Sequence, residues 1–361
     1  MPIQRDERID SLRGLFLVVM TIDHFKGLLW RFVYQSPGFV SSAEGFAFIS
    51  GFYFAMVYLR YVNEPGKLIQ AAGKRAFLIY KYNMAILFGL IAMTYLVPMY
   101  QAYWAEWLRS FHQNPVRSIV ADLLLLQTPN WLDVFSMFIF FVLSAPLSLL
   151  LFHKNKGWIV LLLSLFFWGL GQFGYSVAAI TKMFFPEAQP GYFNLFAWQL
   201  IWHLGLFFGY RAARGFKNAW LDSKFILAAA AGLASYLFLT RHGMLATPFD
   251  VTSHLKVTDL GPLRVLNFCA LAVLIRAVLR YIPPDRGLPW FSFLGKHSLQ
   301  VFAYQLVLMY LLMPFNERII QAAGLTGHTF YVLGMTATLT FPAFWHARVR
   351  NGKLVGEVPF W

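Results

Sequence analysis

Arg13 and His24 stand eleven positions apart inside one apolar segment, Ser11 to Val33, which also carries Asp23 and Lys26. Eleven steps of 100° return to nearly the same helix face, and at 1.5 Å per residue the two side chains align about 16 Å apart. An ionisable group in hydrocarbon costs at least roughly 2.5 kcal/mol, so an arginine, an aspartate and a histidine in one spanning segment point to chemistry or ion movement. A neutral imidazole is the commonest general base near neutral pH, and a neighbouring carboxylate can orient it or stabilise its charged form. Asp23 is adjacent in sequence and points about 100° away on the helix, so direct pairing with His24 is not assumed. His24 lies about 20 Å above Ser11, past mid-membrane, with Trp30, Arg31 and Phe32 marking the opposite interface. The structural alternative for His24 is a histidine satisfied by a neighbouring helix.

A second carboxylate comes from the next segment, which opens Ser41-Ser-Ala-Glu-Gly-Phe-Ala-Phe-Ile-Ser-Gly51. A short connection makes the first two segments antiparallel neighbours and brings Glu44 to roughly the level of His24. Glu44 can pair with the imidazole, or it can serve the start of its own helix, where a serine followed by an early acid is ordinary capping chemistry. Asp133, Gln199, His203, His297, Gln300, Gln305 and Glu317 are further polar residues in or near apolar segments. His203 reads as a packing histidine and His297 as a polar helix start. His112, His153, His242, His254, His328 and His346 fall in loops or at segment ends and receive no role. Gly169-Leu-Gly-Gln-Phe-Gly174 matches a nucleotide-binding pattern in letters only, because no strand precedes it. Gly205 and Gly209 make a G-x-x-x-G step that reads as close helix packing.

These residues must be positioned by a membrane scaffold. The chain has 361 residues, is 58% hydrophobic and 13% charged, and has a mean hydropathy of +0.56, values of a polytopic all-α membrane protein and not of a soluble enzyme. Ten apolar stretches have spanning length: Ser11 to Val33, Ala43 to Val62, Phe77 to Tyr100, Asp133 to Phe152, Trp158 to Tyr175, Asn194 to Tyr210, Phe225 to Thr240, Leu260 to Leu279, His297 to Met313 and His328 to His346. The net charge of +14 does not indicate nucleic acid, because the lysines and arginines fall between these stretches instead of forming one stripe. Arg5, Arg8, Arg60, Lys67, Lys74, Arg75, Lys154, Lys156, Arg211, Arg276, Arg348, Arg350 and Lys353 are among the majority that share the N-terminal side. Arg31, Arg109, Arg117, Lys182, Arg241, Lys256, Arg264 and Arg318 form the smaller opposite set. The asymmetry predicts both termini cytoplasmic. The polar start, Met1 to Asp10, and the long first segment predict that this segment is retained and is no cleaved signal. A single Cys269 excludes an intrachain disulfide framework and a multi-cysteine metal site, and no metal is expected.

One membrane domain over residues 1–361 is expected. The longest outside connections, Gln101 to Leu132 and Arg241 to Asp259, are too short for a further domain and can only shape a mouth. Ser118 to Gln127 fits a re-entrant or interfacial helix. No internal repeat is evident, which weighs against an inverted-repeat transporter.

The stretch Arg5-Asp-Glu-Arg-Ile-Asp-Ser-Leu-Arg-Gly14, continuing through Met20-Thr-Ile-Asp-His24 to Ala43-Glu-Gly-Phe-Ala-Phe-Ile-Ser-Gly51, resembles the OpgC family of osmoregulated periplasmic glucan succinyltransferases. That family lies within the acyltransferase-three superfamily of ten-span membrane proteins, with its arginine or lysine, ten residues, histidine motif. Leu124-Leu-Leu-Gln-Thr-Pro129 leading to Asp133, Ala145-Pro146, and Leu294-Gly-Lys-His-Ser-Leu-Gln-Val-Phe302 extend the resemblance over essentially the whole chain. It implies that His24 is the catalytic histidine and Arg13 the motif arginine, with Asp10, Asp23 and Glu44 as supporting polar residues. Where the superfamily has a short paired-arginine motif, this chain reads Lys74-Arg75 and then Lys81, which departs from the pattern. Lys74, Arg75 and Lys81 remain phosphate contacts for coenzyme A on charge and position.

The resemblance implies an inner-membrane enzyme that transfers an acyl group, succinyl favoured over acetyl, from cytoplasmic acyl-CoA (succinyl-CoA or acetyl-CoA) to a hydroxyl of a periplasmic glucan or other glycan. Its partners would be the acyl donor, the glycan acceptor and the lipid bilayer, with no nucleic acid. Two other readings compete: a proton-coupled transporter with an Asp23, His24 and Glu44 relay, and a noncatalytic membrane subunit.

Overall fold

Asp6 accepts the Arg8 N–H at 3.0 Å, and Glu7 and Asp10 lie in the turn that follows, so capping and helix dipole together start the first helix. The computed structural model describes residues 6–186, 188, 191–245 and 252–352. Among them the regular structure is helical throughout, without strands. The helices are α1 (Glu7–Phe25), α2 (Gly27–Val33), α3 (Ser42–Tyr58), α4 (Pro65–Leu96), α5 (Pro98–Trp104), α6 (Arg109–Gln113), α7 (Pro115–Leu123), α8 (Asp133–His153) and α9 (Gly157–Gln172). They continue as α10 (Val177–Phe184), α11 (Leu195–Ala213), α12 (Lys224–Arg241), α13 (Pro262–Leu279), α14 (Pro289–Lys296), α15 (Ser298–Leu312), α16 (Asn316–Thr338) and α17 (Thr340–Gly352).

Each of the ten apolar stretches coincides with helix, but among the described residues six runs are long and apolar enough to cross a membrane: Ser42–Tyr61, α4, α8, α12, α13 and the run Ser298–Arg350. A seventh arises if α9 and α10, bent by 60°, form one broken span. The stretch at the N-terminus misses because α1 carries Glu7, Arg8, Asp10, Arg13 and Asp23. In α11, Trp198, Gln199, Trp202 and His203 dilute the apolar residues.

Three boundaries differ from the sequence expectation. Ser11 to Val33 is not one helix: Lys26 (φ +56°) and Gly27 (φ +79°) enter the left-handed region and divide α1 from α2. The third helix begins at Pro65, twelve residues early, because proline suits the first helical turn and the polar residues behind it continue the helix. Lys67, Lys74 and Arg75 are therefore helical and not in a loop. The tenth stretch belongs to a longer run, with Gly324 (φ +66°) breaking α16. Arg264, assigned to the outside set, is fully buried. Arg5 and Lys353 lie outside the described residues.

The helices group into two compact units, one from residues 1–46, 218–249 and 266–361, the other from 47–217 and 250–265. In the first, α1 packs most extensively on α14, and Ala230, Ala234 and Ala270 form a small-residue contact with Leu233 and Leu274 around it. At one loop of this unit the Arg276 guanidinium, hydrogen-bonded to Asp222, holds that carboxyl below its usual range. In the second unit α8 packs on α4 and, with α9, on α11. The G-x-x-x-G step does mark close packing: a Cβ on Gly205 would stand 2.0 Å from the Phe48 carbonyl oxygen, and one on Gly209 2.2 Å from that of Phe52. Trp202 is buried among Phe54, Phe138 and Phe141. His203 is satisfied as expected, with Nδ1 donating to the Gln199 carbonyl at 2.8 Å.

Candidate functional site

Arg13 and His24 both lie in α1, so their common face is retained. The helix that carries them is fixed at its near end by backbone contact. A Cβ on Gly14 would fall 1.9 Å from the Phe291 oxygen, and a Cβ on Gly295 would fall 1.9 Å from the Asp10 oxygen. Glycines on both sides thus let α1 and α14 touch main chain to main chain. The two segments that carry much of the family pattern, around Gly14 and around Gly295, pack against each other.

Polar contacts reinforce this crossing. Arg13 Nη2 donates to Ser298 Oγ at 2.5 Å, and Nη1 lies 4.0 Å from the buried Asp10 carboxylate. Glu7 accepts from Ser292 and pairs with Lys296. Arg8 donates to the Leu279 and Ile282 carbonyls at 2.5 and 2.6 Å. Ser11 Oγ accepts the Leu288 N–H at 2.9 Å while donating to the Glu7 carbonyl at 2.8 Å.

The far end of α1 is held differently. His24 occupies the last turn, half-buried, and the helix stops one residue later. Asn316 Nδ2 donates to the carbonyl of Phe25 at 3.0 Å, satisfying an end group the broken helix would otherwise leave without a partner. His328, fully buried, places Nε2 3.4 Å from Asn316 Oδ1, and its ring faces Gly27 so closely that a Cβ there would meet Nδ1 at 2.4 Å. His328 was given no role from sequence, yet it closes the break beside His24. Phe-Lys-Gly after an apolar run is a helix-stop signal and the one local clue to this arrangement. Asp23 is half-buried on α1, a turn step away from His24.

Glu44 is fully buried, and its Oε2 accepts both the Ser41 N–H at 3.0 Å and the Ser41 hydroxyl at 2.6 Å. That is the capping arrangement read as one of its two alternatives. The start of α3 lies against α1, since a Cβ on Gly45 would meet the Phe16 ring at 2.4 Å. His297 is not simply a polar helix start: its Nδ1 stands 2.7 Å from Nδ1 of His346, with the rings edge to face. Sequence reasoning missed this pair because the two histidines are 49 residues apart.

Lys74, Arg75 and Lys81 belong to the other unit, on α4. Lys74 and Lys81, seven residues apart, share one helix face and are exposed, whereas Arg75 is half-buried on an adjoining face. Lys81 Nζ lies over the Phe77 ring at 5.4 Å. The same unit holds a buried carboxylate that sequence reasoning did not single out. Asp122, near the end of α7, takes a hydrogen bond from Gln127 Nε2 at 3.2 Å, and burial pushes its carboxyl up to about 7. The short α7 lies within the stretch read as interfacial or re-entrant.

The family model described as OpgC protein matches residues 5–351 of this chain. No curated protein and no solved structure matches it.

Proposed function

Because the chain belongs to the OpgC protein family, we propose that it is a membrane-bound O-acyltransferase that moves an acyl group, succinyl favoured, from cytoplasmic acyl-CoA to a hydroxyl of a periplasmic glucan. In this reading the protein sits in a bacterial inner membrane with ten crossings and both termini cytoplasmic. The excess of basic residues on the N-terminal side supports that orientation.

The observation that carries the proposal is the placement of Arg13 and His24 on one face of α1, with Arg13 fastened to the start of α15 through Ser298. His24 takes the proton of the acceptor hydroxyl as its oxygen attacks the thioester carbonyl, and the coenzyme leaves as its thiol. A transient acyl-histidine would use the same side chain as nucleophile. Asp23 supplies negative charge beside His24, Glu44 is the supporting carboxylate from the start of α3, and Asp10 sets the arginine. His297, paired with His346, belongs to the crossing that holds Arg13. Lys74, Arg75 and Lys81 receive the phosphates of the coenzyme, as point charges and, for Arg75, as a fork.

Purified protein with radiolabelled succinyl-CoA or acetyl-CoA and a glucan acceptor tests this directly. Label transferred to glucan, and lost in His24→Ala, supports the proposal. Ion-coupled flux in liposomes without transfer would instead favour a relay through Asp23, His24 and Glu44, and neither activity would leave a noncatalytic subunit.

A further inference from the structure

α1 stops one residue after His24, so the imidazole stands in a last turn whose carbonyls lack helical partners, and such a turn frays unless something outside the helix holds it. Lys26 (φ +56°) and Gly27 (φ +79°) then follow as consecutive left-handed residues, and Lys26, which carries a Cβ, keeps that conformation only where surrounding contacts offset its strain.

The contacts come from α16, from both sides of its own break. Asn316 precedes Gly324 (φ +66°), and His328 and Tyr331 follow it. Twelve residues of unbroken helix would separate Asn316 from His328 by about 18 Å. The break at Gly324 instead lets His328 Nε2 come within 3.4 Å of Asn316 Oδ1. The amide is then fixed at each polar atom. Oδ1 only accepts, so Nε2 carries the hydrogen, while Nδ2 donates to the Phe25 carbonyl at 3.0 Å and faces Met313 Sδ at 3.4 Å. A flipped amide would set two oxygens against each other at Phe25, so His328 decides which end of Asn316 faces α1. Tyr331, one turn beyond His328, stands edge-on to the buried Phe25 ring at 6.2 Å, and its hydroxyl donates to the Leu312 carbonyl at 3.1 Å.

His328 is not placed to act on a substrate itself. Its ring is fully buried, and Nδ1 lies without a partner against Gly27, whose missing side chain is what admits the ring. Its hydrogen bond runs through one amide to the backbone next to His24. Three side chains of α16 thus converge on residues 25 to 27, the backbone that sets the height and rotation of the His24 ring.

We propose that Asn316 and His328 are positioning residues for His24: His328 orients the Asn316 amide, and the amide holds the Phe25 carbonyl so that the imidazole meets the acceptor hydroxyl at one fixed place. The catalytic consequence rests on the reading of His24 as the base of acyl transfer; the hold on the end of α1 does not.

The test uses the full-length protein in nanodiscs with a glucan acceptor and whichever of succinyl-CoA and acetyl-CoA it transfers. Asn316→Leu removes the donor to Phe25 at similar volume, His328→Phe keeps a buried ring without the hydrogen bond, and His328→Gln sets an amide nitrogen where Nε2 stands. In the first two variants kcat should fall by about tenfold to a hundredfold, the scale of a displacement of about 1 Å, with both KM values within about twofold of wild type. His328→Gln should return kcat to within about threefold of wild type. Added to His24→Ala, neither change should cost anything further, because a residue acting through the imidazole has nothing left to place. Ring signals of His24 in histidine-labelled protein, assigned by their loss in His24→Ala, should shift in His328→Phe and return in His328→Gln. If Asn316→Leu does not fold, His328→Phe decides. Wild-type kcat in His328→Phe, a loss that multiplies with that of His24→Ala, or an unmoved His24 signal overturns the positioning. If transfer occurs and needs His24 while both variants turn over as wild type does, the positioning falls and the enzyme reading stands. If wild type transfers nothing but the His24 signal moves in His328→Phe and returns in His328→Gln, the hold on His24 stands and the enzyme reading falls.

Discussion

Gly14→Ala puts the main-chain crossing of α1 and α14 under direct strain. The new Cβ would lie 1.9 Å from the Phe291 carbonyl oxygen, against an ordinary contact of 3.4 Å or more, so the helices must part by about 1.5 Å or the backbone must bend. Neither side has a flexible side chain to give way. Overpacking of this kind costs typically 1 to 3 kcal/mol, and opening the rest of the interface adds lost dispersion contacts. The functional cost should be larger than the stability cost. Arg13 is the neighbouring residue and holds Ser298 at 2.5 Å, and misplacement by about 1 Å can cost on the order of 10² in rate. Gly295→Ala strains the same crossing from the other helix, so the double variant should lose less than the sum of the singles. Gly73→Ala, with nothing within 4 Å of its Cβ position, is the control and should gain up to about 1 kcal/mol from helix propensity. Thermal melting in detergent together with acyl transfer reads both effects. A Gly14→Ala protein with wild-type melting and turnover would refute the crossing as the anchor of Arg13.

His24→Ala should lower acyl transfer by roughly 10² to 10⁴ while leaving the melting temperature nearly unchanged, and activity within about threefold of wild type would remove His24 as the base. Neutralising Arg75 or Lys81 should raise the KM for acyl-CoA more than that for glycan; calorimetry with coenzyme A giving equal affinity for both variants and wild type would take this cluster out of the donor site. Asp122, raised to about 7 in the folded protein from an ordinary value of 3.8, binds a proton that the unfolded chain releases, so its contribution is full below about pH 4 and is lost as pH rises to about 7. Asp122→Asn should flatten the melting temperature between pH 5 and 8 and raise it at pH 8; an unaltered pH profile would contradict the burial argument. Single cysteines between His112 and Pro115 should react with impermeant reagent from outside, and those between Lys67 and Lys74 should not, the reverse pattern overturning the orientation.

What the sequence made legible was local. The common face of Arg13 and His24 depends only on helix period, and the capping use of Glu44 was visible in Ser41-x-x-Glu44. Gly205 and Gly209 announced a close helix contact, though not that Phe48 and Phe52 would fill it. The extent of α4 was hidden because an apolar window detects hydrocarbon-facing length, while Pro65 to Ala76 are helical and polar. The pairing of His297 with His346, the closure of Gly27 by His328 and the grip of Asp133 on Tyr192 and Phe193 were illegible for a common reason. Each joins residues well separated along the chain, and a single sequence records no contact between them.

The length of α1 has a consequence for how the cell could supply such a reaction. From Glu7 to His24 the helix rises about 26 Å, close to the roughly 30 Å of a hydrocarbon layer. On the orientation proposed above, the imidazole therefore meets its substrates near the outer boundary, while the coenzyme's phosphates stay on the inner side. Under the proposed function, the acyl group would change compartment in the act of changing bond. No separate carrier for an activated acyl donor is then needed, and no nucleotide hydrolysis on the outer side. The exchange of a thioester for a more stable oxygen ester favours the forward direction, and departure of thiol and ester to opposite sides keeps them apart afterwards.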